Sequence, residues 1–307
     1  MLVTGASGFI GRWSVPPLLA RGFEVHAVTS HAARRALPPQ LAGAHLHAAD
    51  LLNEAQVDEL LRRVAATHLL HFAWIATPGV YWTSSDNALW LAAGRHLLQA
   101  FRGQGGRRAV LAGSCAEYDW STVSVCDEAS SPLAAGGTVP ITPYAASKLE
   151  MQKALAEFSR CGDFSSAWGR IFFQFGPDEH PARLVPSVIS SLLASREALC
   201  SHGRQVRSFL HVADVGAAFA ALLAGEVEGA VNIGSDEALP LAELIGRIAQ
   251  QIGRPELVRL GAKPAAAGEP PLLMPKLCRL HDEVGWRPQI ALNEAIADTI
   301  QWWRARA

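Results

Sequence analysis

An α/β fold built on a doubly wound parallel sheet, with a smaller C-terminal lobe, is what this sequence predicts, and three observations predict it. Short runs of β-branched and apolar residues alternate with longer stretches of helical spacing, the rhythm of βαβ units. A glycine-rich turn, Gly5-Ala6-Ser7-Gly8-Phe9-Ile10-Gly11, lies between the first such run and the first helical stretch. From about Gly176 the alternation stops, and Pro, His and Arg cluster over 176–186, which marks the second lobe.

Taken in order, Leu2–Thr4 is the first predicted strand. Gly11 to Arg21 follows as a helix that Pro16 and Pro17, lacking the N–H the ladder needs, should bend or delay. Strands are expected at 24–29, 45–48 and 68–73, and a helix with its charges on one face at 54–65. A long helix from Asn87 to Arg102, a strand at 108–112, a second long helix from Tyr144 to Cys161 and a strand at 165–173 complete a first unit over 1–175. The rest, 176–307, is expected to be mainly a substrate-binding lobe, with about 207–235 returning to the first unit. It would close over the carboxyl ends of the strands, where open α/β sheets bind ligands. The Pro/Ala/Gly-rich stretch 261–271 is expected to be a surface loop.

Half of the 307 residues are apolar and 18% are charged, enough for a sizeable core. A formal net charge of -1 gives no electrostatic case for a nucleic-acid or anionic-membrane surface. No apolar run approaches the roughly 20 residues of a membrane span. The chain opens directly on the strand before the glycine turn, so no leader is expected, and its five scattered cysteines (Cys115, Cys126, Cys161, Cys200, Cys278) suit a reducing compartment. A cytoplasmic location is expected. The cysteines form no metal-ligand spacing, and His31, His45 and His47 have no ligand partner, so no metal is expected.

The glycine turn implies a dinucleotide. Gly5 permits the tight turn, Gly8 lets backbone approach a pyrophosphate, and Gly11 lets the helix pack close, with Ser7, Phe9 and Ile10 in the same cradle. The helix N-terminus adds unpaired N–H groups and a partial positive charge. Where NAD-binding proteins place a carboxylate for the ribose 2′-hydroxyl, this chain has Thr29 and Ser30, followed by Arg34 and Arg35. A hydroxyl plus an arginine suits a 2′-phosphate, so NADP(H) is favoured over NAD(H); alternatively, the arginines begin a solvated helix. Asp50, after the third strand, is placed for the adenine amino group, or to cap the next helix.

Tyr144 and Lys148 stand one helical turn apart on one face. A nearby cation lowers a phenol's pKa, which an acid/base near neutral pH requires. Ser114, at the end of the preceding strand, is within reach of a substrate carbonyl oxygen.

With these residues the chain resembles the extended short-chain dehydrogenases/reductases, in the branch of NAD(P)-dependent nucleotide-sugar epimerases and dehydratases. The likeness runs along nearly the whole chain: GASGFIG, Asp50-Leu51, HFAW at 71–74, SCAEY at 114–118 and YAASK at 144–148 come in the family's order. GRIFFQFGP (169–177), RSFLHVADV (207–215), VNIGS (231–235) and EVGWRP (283–288) follow. The resemblance implies a Rossmann-type doubly wound parallel sheet with a smaller C-terminal substrate-binding lobe, a nucleotide-sugar substrate, and a homodimer through the two long helices. It implies that Tyr144 is the acid/base on a sugar hydroxyl or ketone, that Lys148 tunes it and holds the nicotinamide ribose, and that Ser114 hydrogen-bonds the same sugar oxygen. Phe72 and Ala73 would line the cofactor. Arg207 would grip the substrate diphosphate, a task a bidentate fork suits, the alternative being a surface salt bridge. Asn87 matches a structural asparagine.

Two departures narrow the reaction. The acidic pair of the family's 4,6-dehydratases is replaced by Cys115 and Ala116, and alternation points Glu117 elsewhere. Phe173 stands where the family has an Asn that contacts the diphosphate; Gln174, His180 and Arg183 are candidates to take its place, or are ordinary loop residues. Trp74, Tyr81, Trp82 and Trp120 crowd the predicted cleft, and aromatic faces suit sugar rings, whereas Trp90 reads as core. The leading expectation is therefore an NADPH-dependent 4-ketoreductase of a keto-sugar nucleotide, with Tyr144 protonating the oxygen. A 4-epimerase that retains its cofactor is the runner-up, and a non-catalytic dinucleotide sensor comes third.

Overall fold

The structure is a computed structural model that describes residues 1–30, 37–134, 141–160, 162–266 and 268–306. Strands β1 (Leu2–Thr4), β2 (His26–Thr29), β3 (His45–Ala48), β4 (His68–His71) and β5 (Arg108–Ser114) lie in one sheet. β6 (Val125–Cys126) leaves it and β7 (Ser165–Ile171) rejoins it. β8 (Phe173–Phe175), β9 (Ala198–Leu199) and β10 (Val206–His211) lie outside it, β11 (Gly229–Ile233) returns, and β12 (Ala238–Pro240), β13 (Val258–Arg259) and β14 (Leu272–Pro275) are again outside. The main sheet runs β3-β2-β1-β4-β5-β7-β11 with every pair parallel. Its order reverses between β1 and β4, so a crevice opens at the carboxyl ends of those two strands. This is the Rossmann arrangement that the sequence predicts.

The helices are α1 (Gly11–Ala20), α2 (Glu54–Val64), α3 (Asp86–Gly103), α4 (Pro143–Ser159), α5 (Leu184–Leu193), α6 (Val212–Ala224), α7 (Leu241–Ile252) and α8 (Leu292–Arg304). Val15 and Leu18 of α1 and Phe219 and Leu222 of α6 form one apolar layer with the sheet. Leu60, Leu61, Leu97, Leu98, Met151 and Leu155, from α2, α3 and α4, form the layer on the other face. Because the central strands are covered on both sides, β5 is buried from Arg108 through Gly113 and reads as a continuous apolar run after Arg108. Among the described residues, no helix is long and apolar enough to cross a membrane.

The expected delay of α1 does not occur: the helix runs from Gly11 through both prolines to Ala20. Pro17 leaves the Trp13 carbonyl without its helical donor. Gly216 of α6 comes so close there that a Cβ would lie 2.4 Å from that oxygen. Packing of α6 on α1 holds the helix where its own ladder is interrupted.

The stretch 165–173, read as one strand, is two. β7 ends at Ile171, and Phe172 N–H still bonds the Ile233 carbonyl at 2.9 Å. β8 then pairs with β10 in a second sheet of order β12-β10-β14-β6. This change of sheet carries Phe173 away from the main sheet. A separate core of Phe175, Val188, Ile189, Leu244, Ile248 and Ile296 packs α5, α7 and α8 together.

Candidate active site

The glycine turn sits at the crevice and has no room for side chains. Gly5 has φ +66°, and a Cβ on it would lie 2.8 Å from Ala73 N. A Cβ on Gly8 would lie 3.0 Å, and one on Gly11 2.2 Å, from the Gly5 carbonyl oxygen, which accepts the Gly8 N–H at 2.9 Å. Helix α1 starts on this turn with no side-chain cap, and a helix N-terminus there is where a pyrophosphate would be held. These features fit a dinucleotide. Ser7 Oγ donates to Thr29 Oγ1 at 3.0 Å, tying the turn to the end of β2.

Arg12 holds the turn, and the sequence marks it only as a cation after the third glycine. Its Nε donates to Gly8 O at 2.9 Å and Nη2 to Ser7 O at 2.6 Å, while Nη1 pairs with Asp178. Phe9 and Ile10 are half-buried, and Ser30 and Asp50 are exposed. Asp50 Oδ1 accepts Leu52 N–H; the cap of α2 is Asn53, not Asp50. Leu51 is buried. Phe72 packs edge-on against Phe219, and Ala73 abuts Gly5. Arg34 and Arg35 lie outside the described residues.

Ser114 ends β5 and Tyr144 lies in the first turn of α4, where Thr142 caps the helix and Pro143 starts it. Ser114 lies close enough to the Tyr144 hydroxyl to draw its phenol down. The rings of Tyr81 and Trp82 meet Tyr144 edge-on, at 4.8 and 5.6 Å between centres. Burial pushes the Tyr144 phenol above its ordinary value, against the pull of Ser114. The lowered phenol expected from the sequence is therefore not what the chain alone sets up. Lys148 is itself buried, which lowers its ammonium to about 7 against the opposing charge of Glu117. Its Nζ donates to Ala112 O at 2.9 Å and lies 3.9 Å from the centre of the Trp74 ring.

Glu117 points away from the cleft, though not by the alternation expected: Cys115–Glu117 is a 3-10 turn, and Glu117 reaches back to hold Ser114, its cap. Its Oε1 accepts the Ser114 N–H at 2.7 Å, while Oε2 accepts from Arg170 Nε at 2.8 Å and Trp168 Nε1 at 2.9 Å. Arg170 continues to the Tyr118 hydroxyl, which donates to Asn232 Oδ1 at 2.8 Å. Cys115 is buried and its thiol is pushed up, so the two positions after Ser114 hold no ionised group near neutral pH.

Arg183, just before α5, lies over the Tyr81 ring, 5.4 Å from its centre. Glu179 beside it escaped the sequence reading, because an acidic loop residue gives no local signal of burial. It is 9% exposed, burial raises its carboxyl to about 8 with Arg183 opposing, and its Oε2 has no hydrogen-bond partner among the described residues. His180 is exposed and only closes its own turn onto Ala182 N–H.

Arg207 is turned inward. Its side chain is 2% exposed and pairs with Glu269 at 3.0 Å, and Phe173 lies against its guanidinium at 5.3 Å.

The model of the NAD dependent epimerase/dehydratase family matches residues 1–234. A UDP-glucose 4-epimerase of Rhizobium leguminosarum bv. trifolii is 26% identical over 98% of this chain and 96% of its own length. The solved UDP-glucose 4-epimerase of Thermotoga maritima, with UDP-glucose, superposes with a TM-score of 0.86 at 19% identity, covering 99% of this chain and 98% of that one. That of Thermus thermophilus, in complex with NAD, gives 0.81 at 25% identity, covering 100% and 99%.

Proposed function

From the premise that this chain belongs to the NAD dependent epimerase/dehydratase family, we propose that it moves a hydride at a carbinol carbon of a sugar, in the manner of a 4-epimerase. Ser114, Tyr144 and Lys148 are its catalytic residues in this reading. The observation that carries it is the convergence of Ser114, at the end of β5, with Tyr144 in the first turn of α4 and Lys148 one turn further on, beside the glycine cradle.

Gly5 to Gly11 would hold the pyrophosphate, Asp50 and Leu51 the adenine, and Phe72, Ala73 and Lys148 the nicotinamide end. The end of β2 carries the exposed Ser30 and no carboxylate, which supports NADP(H). When bound, the dinucleotide supplies the hydride acceptor and donor. Ser114 orients the sugar oxygen. Tyr144 takes the hydroxyl proton as the carbon gives up its hydride, and returns it when the hydride comes back to the opposite face. Lys148 offsets the phenolate charge one helical turn away. In the same reading, residues 1–175 are mainly the cofactor unit, and the second sheet with α5, α7 and α8 receives the substrate.

One observation favours a second reading, reduction of a keto-sugar by NADPH. The buried Tyr144 phenol is held in its protonated form, the form that protonates a ketone. Purified protein is to be given a panel of sugars, both nucleotide-linked and uncharged, with NMR reporting inversion and absorbance reporting net consumption of reduced nicotinamide. Inversion without consumption is expected; stoichiometric consumption with a keto-sugar establishes the second reading, and neither result refutes both.

A further inference from the structure

We propose that Glu117 is a positioning residue of this site: from behind β5 its buried carboxylate holds Ser114 and is the counter-charge on which the Lys148 ammonium depends. The proposal rests on the reading of Ser114, Tyr144 and Lys148 given above and deepens it.

Three consecutive residues of β5 carry the geometry. The Ala112 carbonyl accepts from Lys148 Nζ at 2.9 Å, and the Ser114 N–H donates to Glu117 Oε1 at 2.7 Å. Gly113 leaves the space between them: a Cβ there would lie 2.7 Å from Glu117 Oε1 and 2.1 Å from Trp168 Nε1. Trp168 bridges the two charges. Its Nε1 donates to Glu117 Oε2 at 2.9 Å, and its ring centre lies 5.9 Å from Lys148 Nζ. Ser114 Oγ in turn accepts the Ala116 N–H at 3.2 Å, which leaves the hydroxyl proton for a sugar oxygen.

Against the burial that lowers Lys148 to about 7, the opposing charge is that of Glu117. The other groups facing the ammonium are Trp74 at 3.9 Å, Tyr144 at 5.9 Å, and His71, whose imidazole is lowered to about 3 by burial and by Lys148 itself. None of them is an anion near neutral pH. Glu117 also meets Arg170 Nε at 2.8 Å and faces Cys115, whose thiol burial pushes up. Its charge adds to burial in raising the Tyr144 phenol. With Glu117 in place, the resting site therefore favours a proton on Lys148 and one on Tyr144. Without it, an ammonium enclosed by aromatic rings has no counter-charge and gives up its proton more readily. A neutral lysine cannot offset the phenolate that turnover forms.

Lysine labelled with ¹³C at Cε and followed by NMR tests this in the dinucleotide-saturated protein. Lys153, Lys263 and Lys276 are exposed, so the buried Lys148 stands apart, and Lys148→Arg assigns it. In Glu117→Gln, which keeps an oxygen for the Ser114 N–H, Lys148 should titrate at least about one pH unit lower than in the wild type. On whichever sugar the panel shows to be turned over, kcat near neutral pH should fall at least about tenfold with KM little changed. The double variant Glu117→Gln with Arg170→Met strands no arginine charge and carries the same measurement should the single variant unfold. A Lys148 titration that stays where the wild type has it overturns the proposal, even if turnover is lost. The titration needs no turnover, so its failure is separable from failure of the Tyr144 mechanism, which Tyr144→Phe tests.

Discussion

Replacing Glu179 by glutamine should remove a pH dependence that the fold builds into its own stability. The folded carboxyl keeps its proton up to about 8, whereas its ordinary value is 4.5. Between those values the folded chain binds more protons than the unfolded one, so this group makes stability fall as pH rises. The slope is about 1.4 kcal/mol per pH unit, and the span from 4.5 to about 8 brings the full loss above pH 8 to about 5 kcal/mol. By about pH 7, roughly 3 kcal/mol of it is already present. Urea denaturation of wild type and Glu179→Gln across this range measures it, because the difference between the two curves cancels every other titrating group. The variant is expected to gain on the wild type with each unit of pH and to be the more stable in alkali. Parallel curves would show that Arg183 compensates the ionised carboxylate fully, and would refute the argument from burial.

Tyr144→Phe keeps the ring that packs against Tyr81 and Trp82. It is expected to lower kcat by about 10²–10⁴-fold, the span of acid/base contributions, while dinucleotide affinity measured by fluorescence titration barely moves. Gly11→Ala drives a methyl against the Gly5 carbonyl at 2.2 Å, backbone against backbone. It should cost about 1–3 kcal/mol of stability and weaken dinucleotide binding at least tenfold. Gly246→Ala, inside α7 with nothing within 4 Å of the new Cβ, should instead stabilise by about 1 kcal/mol, read as a higher Tm. Glu117→Gln leaves Arg170 buried without its counter-charge. A loss of about 3–5 kcal/mol in denaturant unfolding is expected, and a double variant that also removes the arginine charge should recover part of it.

The features legible in the sequence are those whose physics is local. The glycine turn and the Tyr144–Lys148 pair are set by spacings within one turn or one helix, and both stand where the pattern places them. The prolines of α1 misled, because what holds that helix is Gly216, some two hundred residues further along the chain. The end of β7 misled for a related reason: Phe173 is apolar in either sheet, and only the pairing of β8 with β10 decides between them. The polar contacts behind the site were out of reach. Arg12 and Asp178 are 166 residues apart, Arg207 and Glu269 62, and Tyr118 and Asn232 114. Each reads as an ordinary polar residue until the fold supplies its partner. The same holds for Arg108, whose guanidinium takes the carbonyls of Leu222, Leu223 and Val227 at the end of α6.

The Arg12–Asp178 pair has a thermodynamic consequence. Asp178 and Arg183 bracket the turn that leads into α5; through Arg12 the first reaches the carbonyls of the glycine turn, and the second reaches Tyr81 beside Tyr144. Any ligand that displaced that turn would act on the cradle and on the aromatic rings around Tyr144 together. Binding in the two halves of the crevice would then be linked, and linkage is reciprocal: whatever factor one ligand imposed on the affinity of the other, the other would impose on the first.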